Sequence, residues 1–162
     1  VDTTNEPVFF WSEKHKTEFS CFSNFAKIPV KAYGRVWPTS EHLFQAMKSL
    51  DAAEQEEIRK APTPLKSKRM GRQTKLRPDW ESVKYNVMVE IIRIKFASNP
   101  LRAILLSTGC RPIYEDSPYD KIWGTGTLGG TGPGLNLLGK ALMQVREEFQ
   151  KENCDERQPQ PN

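Results

Sequence analysis

The chain has 162 residues, of which 27% are charged and 37% apolar, with a formal net charge of +4, a pI near 9.0 and a mean hydropathy of -0.64. This describes one globular domain around one core, without internal repeats and without any apolar run of membrane-spanning length. The modest basic excess suits a phosphate-bearing partner.

In chain order, residues 1–7 carry neither the basic nor the apolar part of a secretory signal and read as a flexible N-terminus. Val8-Phe-Phe-Trp11 reads as a short strand, followed by a polar loop in which His15 carries no signal. After Phe19 to Phe25, Ile28 to Tyr33, Gly34 and Arg35 to Trp37 predict a hairpin turning at Tyr33 and Gly34. Pro38 ends the extended segment, and Thr39 or Ser40 can cap a helix that reaches Lys48. At about 100° per residue, Glu41, Gln45 and Lys48 share a narrow arc. Leu43, Met47 and Leu50 cluster opposite, with Phe44 at the edge. The spacing predicts an amphipathic helix that packs on one side and presents chemistry on the other, although an acidic first turn also simply complements the helix dipole.

Asp51 and Glu54 have capping-box character and open a helix from Ala52 to Lys60, stopped by Pro62 and Pro64. Thr63 and Pro64 start a short helix over Leu65 to Arg72. Asp79 caps the longest helix, running to about Ser98, with Trp80, Val83, Val87, Ile91 and Ile94 at helical spacing. Asn99-Pro100 restarts one more, which Gly109 ends. Arg111 to Asp116 reads as a return strand. Six of the ten glycines then fall between Gly124 and Gly134, and Asn136 to Gln150 is a closing amphipathic helix. Residues 151–162, rich in charge, Pro and Gln, read as a disordered tail. The expected fold class is α+β: a mostly helical single domain over 8–150 with a small antiparallel sheet.

Several stretches carry candidate chemistry. Gly124-Thr-Gly126-Thr-Leu-Gly129 matches the dinucleotide fingerprint formally but lacks the preceding parallel strand and the βαβ unit. What remains is either a loop whose amides, with the start of the last helix, cradle a phosphate, or a plain surface loop. Asp120 and Trp123 suit a ribose or a base; alternatively Asp120 caps a turn and Trp123 anchors the loop. Trp80 falls on an apolar stripe, so it reads as core. Lys66, Lys68, Arg69, Arg72, Lys75 and Arg77 crowd one window without an acidic residue, either as a phosphate site or as solvated charge. His42 reads as a structural hydrogen-bonder. Cys21, Cys110 and Cys154, odd in number and widely spaced, predict reduced thiols in a cytoplasmic or nuclear protein. No metal and no cofactor are expected, because the His, Cys and carboxylate positions show no ligand spacing.

Taken together, Phe22-Ser-Asn-Phe25, Trp37-Pro-Thr-Ser-Glu-His42 with Phe44-Gln45-Ala46 and Lys48, Arg69-Met-Gly-Arg72, Trp80 to Lys84, Asp120 with Trp123-Gly124, and Asn136-x-Leu-Gly139 resemble the NADAR family of YbiA-like proteins, from about Phe9 to Phe149. The resemblance implies an N-glycosidase. Its substrates would be ADP-ribose on guanine bases of DNA or RNA, or ribosylamino-pyrimidine intermediates of riboflavin synthesis; a non-catalytic ADP-ribose or NAD-binding module is the third reading. It also implies Lys48, Glu41 and Asp120 as catalytic residues. The implied substrate-binding positions are Phe22, Asn24, Trp37, His42, Gln45, Arg69, Gly71, Trp80, Trp123, Gly124 and Asn136. The expected partner is the ADP-ribose moiety on a transiently bound nucleic acid, with no membrane involved and the protein a monomer. Breaking an N-glycosidic bond builds positive charge on the sugar, which a carboxylate stabilises, and a desolvated lysine can attack the anomeric carbon and hold the opened sugar as a Schiff base.

Overall fold

The computed structural model describes residues 5–11, 16–129 and 132–156. His15, most of the N-terminal segment and residues 157–162 of the expected tail lie outside the described residues. Four short strands, β1 (Val8–Phe10), β2 (Val30–Ala32), β3 (Arg35–Trp37) and β4 (Ile113–Glu115), accompany six helices: α1 (Ser40–Ala46), α2 (Ala52–Arg59), α3 (Pro64–Gly71), α4 (Trp80–Lys95), α5 (Leu101–Ser107) and α6 (Leu137–Asp155). The α+β class holds. The sheet is two separate two-stranded ladders rather than one.

The β2–β3 hairpin is the antiparallel pair, with Val30 opposite Trp37. Its turn sits at Tyr33 and Gly34, whose φ values of 53° and 73° are the pair a tight hairpin turn requires. The other ladder is parallel and joins β1 to β4, with Val8 opposite Ile113 and Phe10 opposite Glu115. Three-residue strands so far apart in the chain carry no local signal of their pairing, so the parallel partner was invisible to pattern reading.

α1 departs most from expectation. Thr39 caps it, accepting from His42 N at 3.2 Å, but every one of its seven residues is buried, not one face of them. It is enclosed by α2, α3, α4 and β3. It also stops at Ala46, because the amides of Lys48 and Ser49 turn back to the carbonyls of Gln45 and Ala46 in a tightened last turn. Lys48 therefore leaves the helix on a turn, and Leu50 is exposed rather than packed.

Asp51 caps α2 through Ala53 N and Glu54 N, while Glu54 turns to Ser49 and Thr74 instead of closing a capping box. Thr63 caps α3 as expected. Asp79 does not cap α4; its carboxylate binds Arg77 at 2.6 and 2.9 Å. The buried residues of α4 are Trp80, Met88, Val89, Ile91, Ile92 and Lys95, a wider stripe than expected, because α1, α6 and β2 all pack on this helix. α6 runs on to Asp155, past the expected stop at Gln150. Arg93–Glu148 and Arg102–Glu152 pairs at 2.9 Å tie its second half to α4 and α5, and the Arg102 guanidinium lies 4.1 Å from the Phe149 ring centroid.

Candidate active site

The start of α1, α3, β4 and the loop that follows β4 enclose a cleft of about 120 Å³. That is well below the ~300–1,000 Å³ of a site that swallows a drug-sized ligand, so it admits one ring-sized piece and leaves the rest outside. Phe44, Met88, Leu138 and Trp123 form its apolar walls, and Glu41, Gln45, Lys48, Lys68, Glu115 and Asp120 bring its polar groups. Glu41 and Gln45, four apart, share one face of α1. Gln45 Nε2 donates to Glu41 Oε1 at 2.7 Å, and Glu41 N donates to Asn24 O at 3.0 Å, fixing the first turn against the 23–25 segment.

Lys48 extends from the turn after α1 over two rings, with Nζ 5.9 Å from the Phe44 centroid and 6.0 Å from that of Trp80. Among the described residues no ion pair within 4.0 Å joins it to Glu41. Burial against these rings pushes the Lys48 amine below its ordinary pKa, helped by the positive charges of Lys68, Arg72 and Lys84 and opposed by Glu41. Glu41 moves the other way. Burial raises its carboxyl, Asp120 adds to this, and the Gln45 hydrogen bond, Lys68 and Lys48 oppose it. Burial thus outweighs the mutual attraction on both sides and favours the neutral amine and the neutral carboxyl. This is the state a nucleophilic lysine needs.

The expected site residues separate into those that reach the cleft and those that build it. Lys48, Glu41, Asp120, Asn24, Gln45 and Trp123 line it. Asp120 is also a turn cap, its Oδ1 accepting from Ile122 N at 2.9 Å and Trp123 N at 2.8 Å. Trp80 stands one layer back, packed on Phe44 at 5.2 Å and facing Lys48.

The rest are corrections. Phe22 is fully buried between Phe10 and Phe96, edge-on to both at 5.7 Å, and cannot stack on a base. Trp37 is a core residue whose indole N–H donates to Ala32 O at 3.1 Å. Asn136 clamps β4, its Oδ1 accepting from Glu115 N at 3.0 Å and its Nδ2 donating to Ile113 O at 2.9 Å. Arg69 is exposed, because neighbours on a helix point to different sides, and Lys68 is the cation that reaches the cleft. Gly71 and Gly124 act by having no side chain. A Cβ at 71 would overlap Gln45 Oε1, and one at 124 would overlap Glu115 Oε2.

Of the two readings of the glycine loop, the phosphate cradle is not seen among the described residues. Thr125 N, Gly126 N and Gly134 N bond to Glu115 O, Ser117 O and Thr125 O, and Gly129 N bonds to the Asp116 carboxylate. Leu137 N and Leu138 N, at the start of α6, bond to Ile122 O and Trp123 O.

His42 is structural, as its reading from the residues suggested. Its Nδ1 lies 2.8 Å from Thr39 Oγ1 and its Nε2 2.9 Å from Ala61 O, both buried. His42→Ala is expected to lower stability by about 3 kcal/mol, the sum of a cavity and a lost buried hydrogen bond, measured by urea unfolding at pH 7.5. Burial holds the imidazole pKa below its ordinary value. The wild type is therefore expected to lose stability as pH falls below about 6.5, the unfolded histidine value, and the variant to lose less.

Sequence reasoning passed over Glu115, Lys68 and Met88. Lys68 had been counted in the basic window, but nothing in a run of six cations says which one turns inward. For Glu115 a signal existed: it stands two residues after Ile113, which is fully buried, and in a strand those two positions share a face. A carboxylate on the inward face of a strand is unusual enough to mark a site.

The NADAR domain family profile matches residues 9–150. The N-glycosidase YbiA of Escherichia coli is 46% identical over 135 residues, covering 82% of each protein. An N-glycosidase of Nostoc punctiforme is 41% identical over 137 residues, 81% of this chain and 86% of that protein. A riboflavin biosynthesis protein of Vibrio vulnificus is 37% identical over 149 residues, which make up 39% of its length. The NMR structure of E. coli YbiA superposes with a TM-score of 0.80 at 40% identity, covering 96% of this chain and 91% of that one. With a profile match across nearly all of its described residues and relatives that share both sequence and fold, the chain belongs to the NADAR family, alongside the YbiA-type N-glycosidases.

Proposed function

We propose that this protein is an N-glycosidase that removes ADP-ribose from ADP-ribosylated guanine in DNA or RNA, acting as a monomer on a transiently bound nucleic acid. The observation that carries the reading is Lys48: a half-buried amine set over Phe44 and Trp80, its pKa depressed by burial, in a cleft it shares with Glu41. Lys48 Nζ attacks the anomeric carbon and the C1–N bond electrons leave with the base. Ring opening then gives a Schiff base between Nζ and C1, and water adds to it and frees the lysine. Glu41 moves the protons that the amine gives up and later regains. Lys68, Arg72 and Lys84, close enough to act on the charge of Lys48, suit the diphosphate and backbone phosphates of such a substrate. The small cleft fits a single ribose, with the remainder of the ligand lying over the basic rim.

A second reading, hydrolysis of ribosylamino-pyrimidines, is favoured by the relative named as a riboflavin biosynthesis protein. A pure binding module fits less well, because Glu41 and Lys48 are not locked together and leave a cleft between them.

The test is incubation with an oligonucleotide carrying ADP-ribosyl-guanine, with released ADP-ribose read by mass spectrometry. Release is the expected result. Binding without release overturns the assignment of this substrate, and the ribosylamino-pyrimidines are then the substrates to assay.

A further inference from the structure

Glu115 and Asp120 are the acidic groups of the cleft that the scheme above leaves idle, and the fold goes to some length to place Glu115. Its backbone is fixed on both sides: its N–H donates to Asn136 Oδ1 at 3.0 Å, and its carbonyl accepts from Thr125 N at 2.9 Å. Pairing with Phe10 holds the strand. Gly124 lies so close that any side chain there would meet Glu115 Oε2, so the carboxyl packs against bare backbone. Oε2 is buried and has no hydrogen-bond partner among the described residues. A buried carboxylate oxygen left without a donor costs more than a carboxylic acid in the same place, because the charge adds its own desolvation.

The groups that face it come from three other parts of the fold: Asp120 and Asp116 from the loop after β4, Glu41 from α1 and Lys68 from α3. Burial comes first, and the like charges of Asp120, Glu41 and Asp116 add to it against the single opposing charge of Lys68, pushing the carboxyl up to about 8. At neutral pH Glu115 holds its proton. Asp120 is committed to its turn, where its Oδ1 receives two backbone N–H groups.

We propose that Glu115 is the proton donor to the leaving nitrogen, an assignment that rests on the N-glycosidase reading above. When the C1–N bond breaks, its electron pair goes to nitrogen and the Glu115 O–H proton follows. Lys48 supplies the new bond to C1, and the Glu115 carboxylate regains a proton from water before the next turnover. Two carboxyl groups thereby take two roles: Glu41 serves the amine, and Glu115 serves the departing base.

The experiment compares Glu115→Gln with the wild type on two substrates, ADP-ribosyl-guanine and an ADP-ribosyl 4-nitrophenol whose leaving group departs as a stable anion. The variant is expected to lose about 100-fold in kcat on the guanine substrate and to stay within about threefold of the wild type on the nitrophenyl one. The fall in wild-type activity above about pH 8, where Glu115 ionises, is expected to vanish in the variant. Equal losses on both substrates, or an unchanged alkaline limb, overturn the proposal. So does a carbon-13 NMR titration that finds Glu115 ionised at pH 7 in the free protein, whatever the substrate proves to be. If the wild type cleaves ribosylamino-pyrimidines but not ADP-ribosyl-guanine, the substrate reading fails while the Glu115→Gln comparison of activity and alkaline limb is read on that N-riboside. If it cleaves neither, both fall.

Discussion

Lys48→Ala is expected to lower kcat by about 10,000-fold while leaving the protein folded. That loss corresponds to about 5 kcal/mol of transition-state stabilisation, the largest effect of any single substitution considered for this cleft. The fold should tolerate it, because Lys48 Nζ makes no hydrogen bond among the described residues and its removal orphans no buried group. What is lost is the stem's contact with Phe44 and Trp80, set against relief from holding a desolvated cation. A stability change within about 1 kcal/mol is therefore anticipated.

Two companion measurements separate a nucleophile from a mere positive charge. Lys48→Arg keeps the charge but cannot give up its proton, so it should be as inactive as the alanine variant. Borohydride added during turnover should reduce the Schiff base and leave a mass increment on the peptide that carries Lys48, with none in either variant. Residual activity within tenfold of the wild type in Lys48→Ala, or an adduct that maps to Lys68 instead, would remove Lys48 from the covalent role.

Much of this site was legible before any coordinates, and the reasons differ from residue to residue. The Thr39 cap, the Pro38 break and the spacing of Glu41 and Gln45 are local properties, so they transfer directly to the structure. The hairpin was equally local, since Gly34 supplies the positive φ that its turn requires. What local pattern could not supply was enclosure. α1 was read as half-exposed because its sequence alternates polar and apolar arcs, yet α2, α3, α4 and β3 pack around it and its polar residues find partners in the interior. His42 bridges Thr39 and Ala61, and Ser40 donates to Asn24 Oδ1 at 2.9 Å. The same lack of long-range information hid the parallel β1–β4 ladder. Several residues that carry the family resemblance gather around one cleft, but the resemblance did not distinguish those that touch it from those that shape it. Asn136 and Gly71 shape the cleft, the first by clamping the strand that carries Glu115 and the second by leaving room for Gln45.

Glu41→Gln is the second large effect, and its form is more informative than its size. The fold has room for the amide. Gln45 Oε1 is buried without a hydrogen-bond partner among the described residues, and a glutamine at position 41 brings N–H donors to that neighbourhood, so the variant should be at least as well satisfied as the wild type. Two consequences follow for catalysis. If Glu41 shuttles protons, kcat falls by about 100- to 1,000-fold at every pH, since that step loses its carrier. Separately, the carboxylate that raises the Lys48 pKa is gone, so the amine loses its proton at lower pH. The acid limb of the kcat/KM profile, where activity climbs as Lys48 is deprotonated, should move to lower pH in the variant. A lower plateau together with an acid limb shifted to lower pH is therefore the expected result, and the borohydride adduct on Lys48 should still form, more slowly. A shift with an undiminished plateau would mean that Glu41 only tunes the amine, and the proton shuttle would have to be sought in Asp120 or in water. A lower plateau without a shift would mean that Glu41 carries protons yet does not act on the charge of Lys48, contrary to the electrostatics of the cleft.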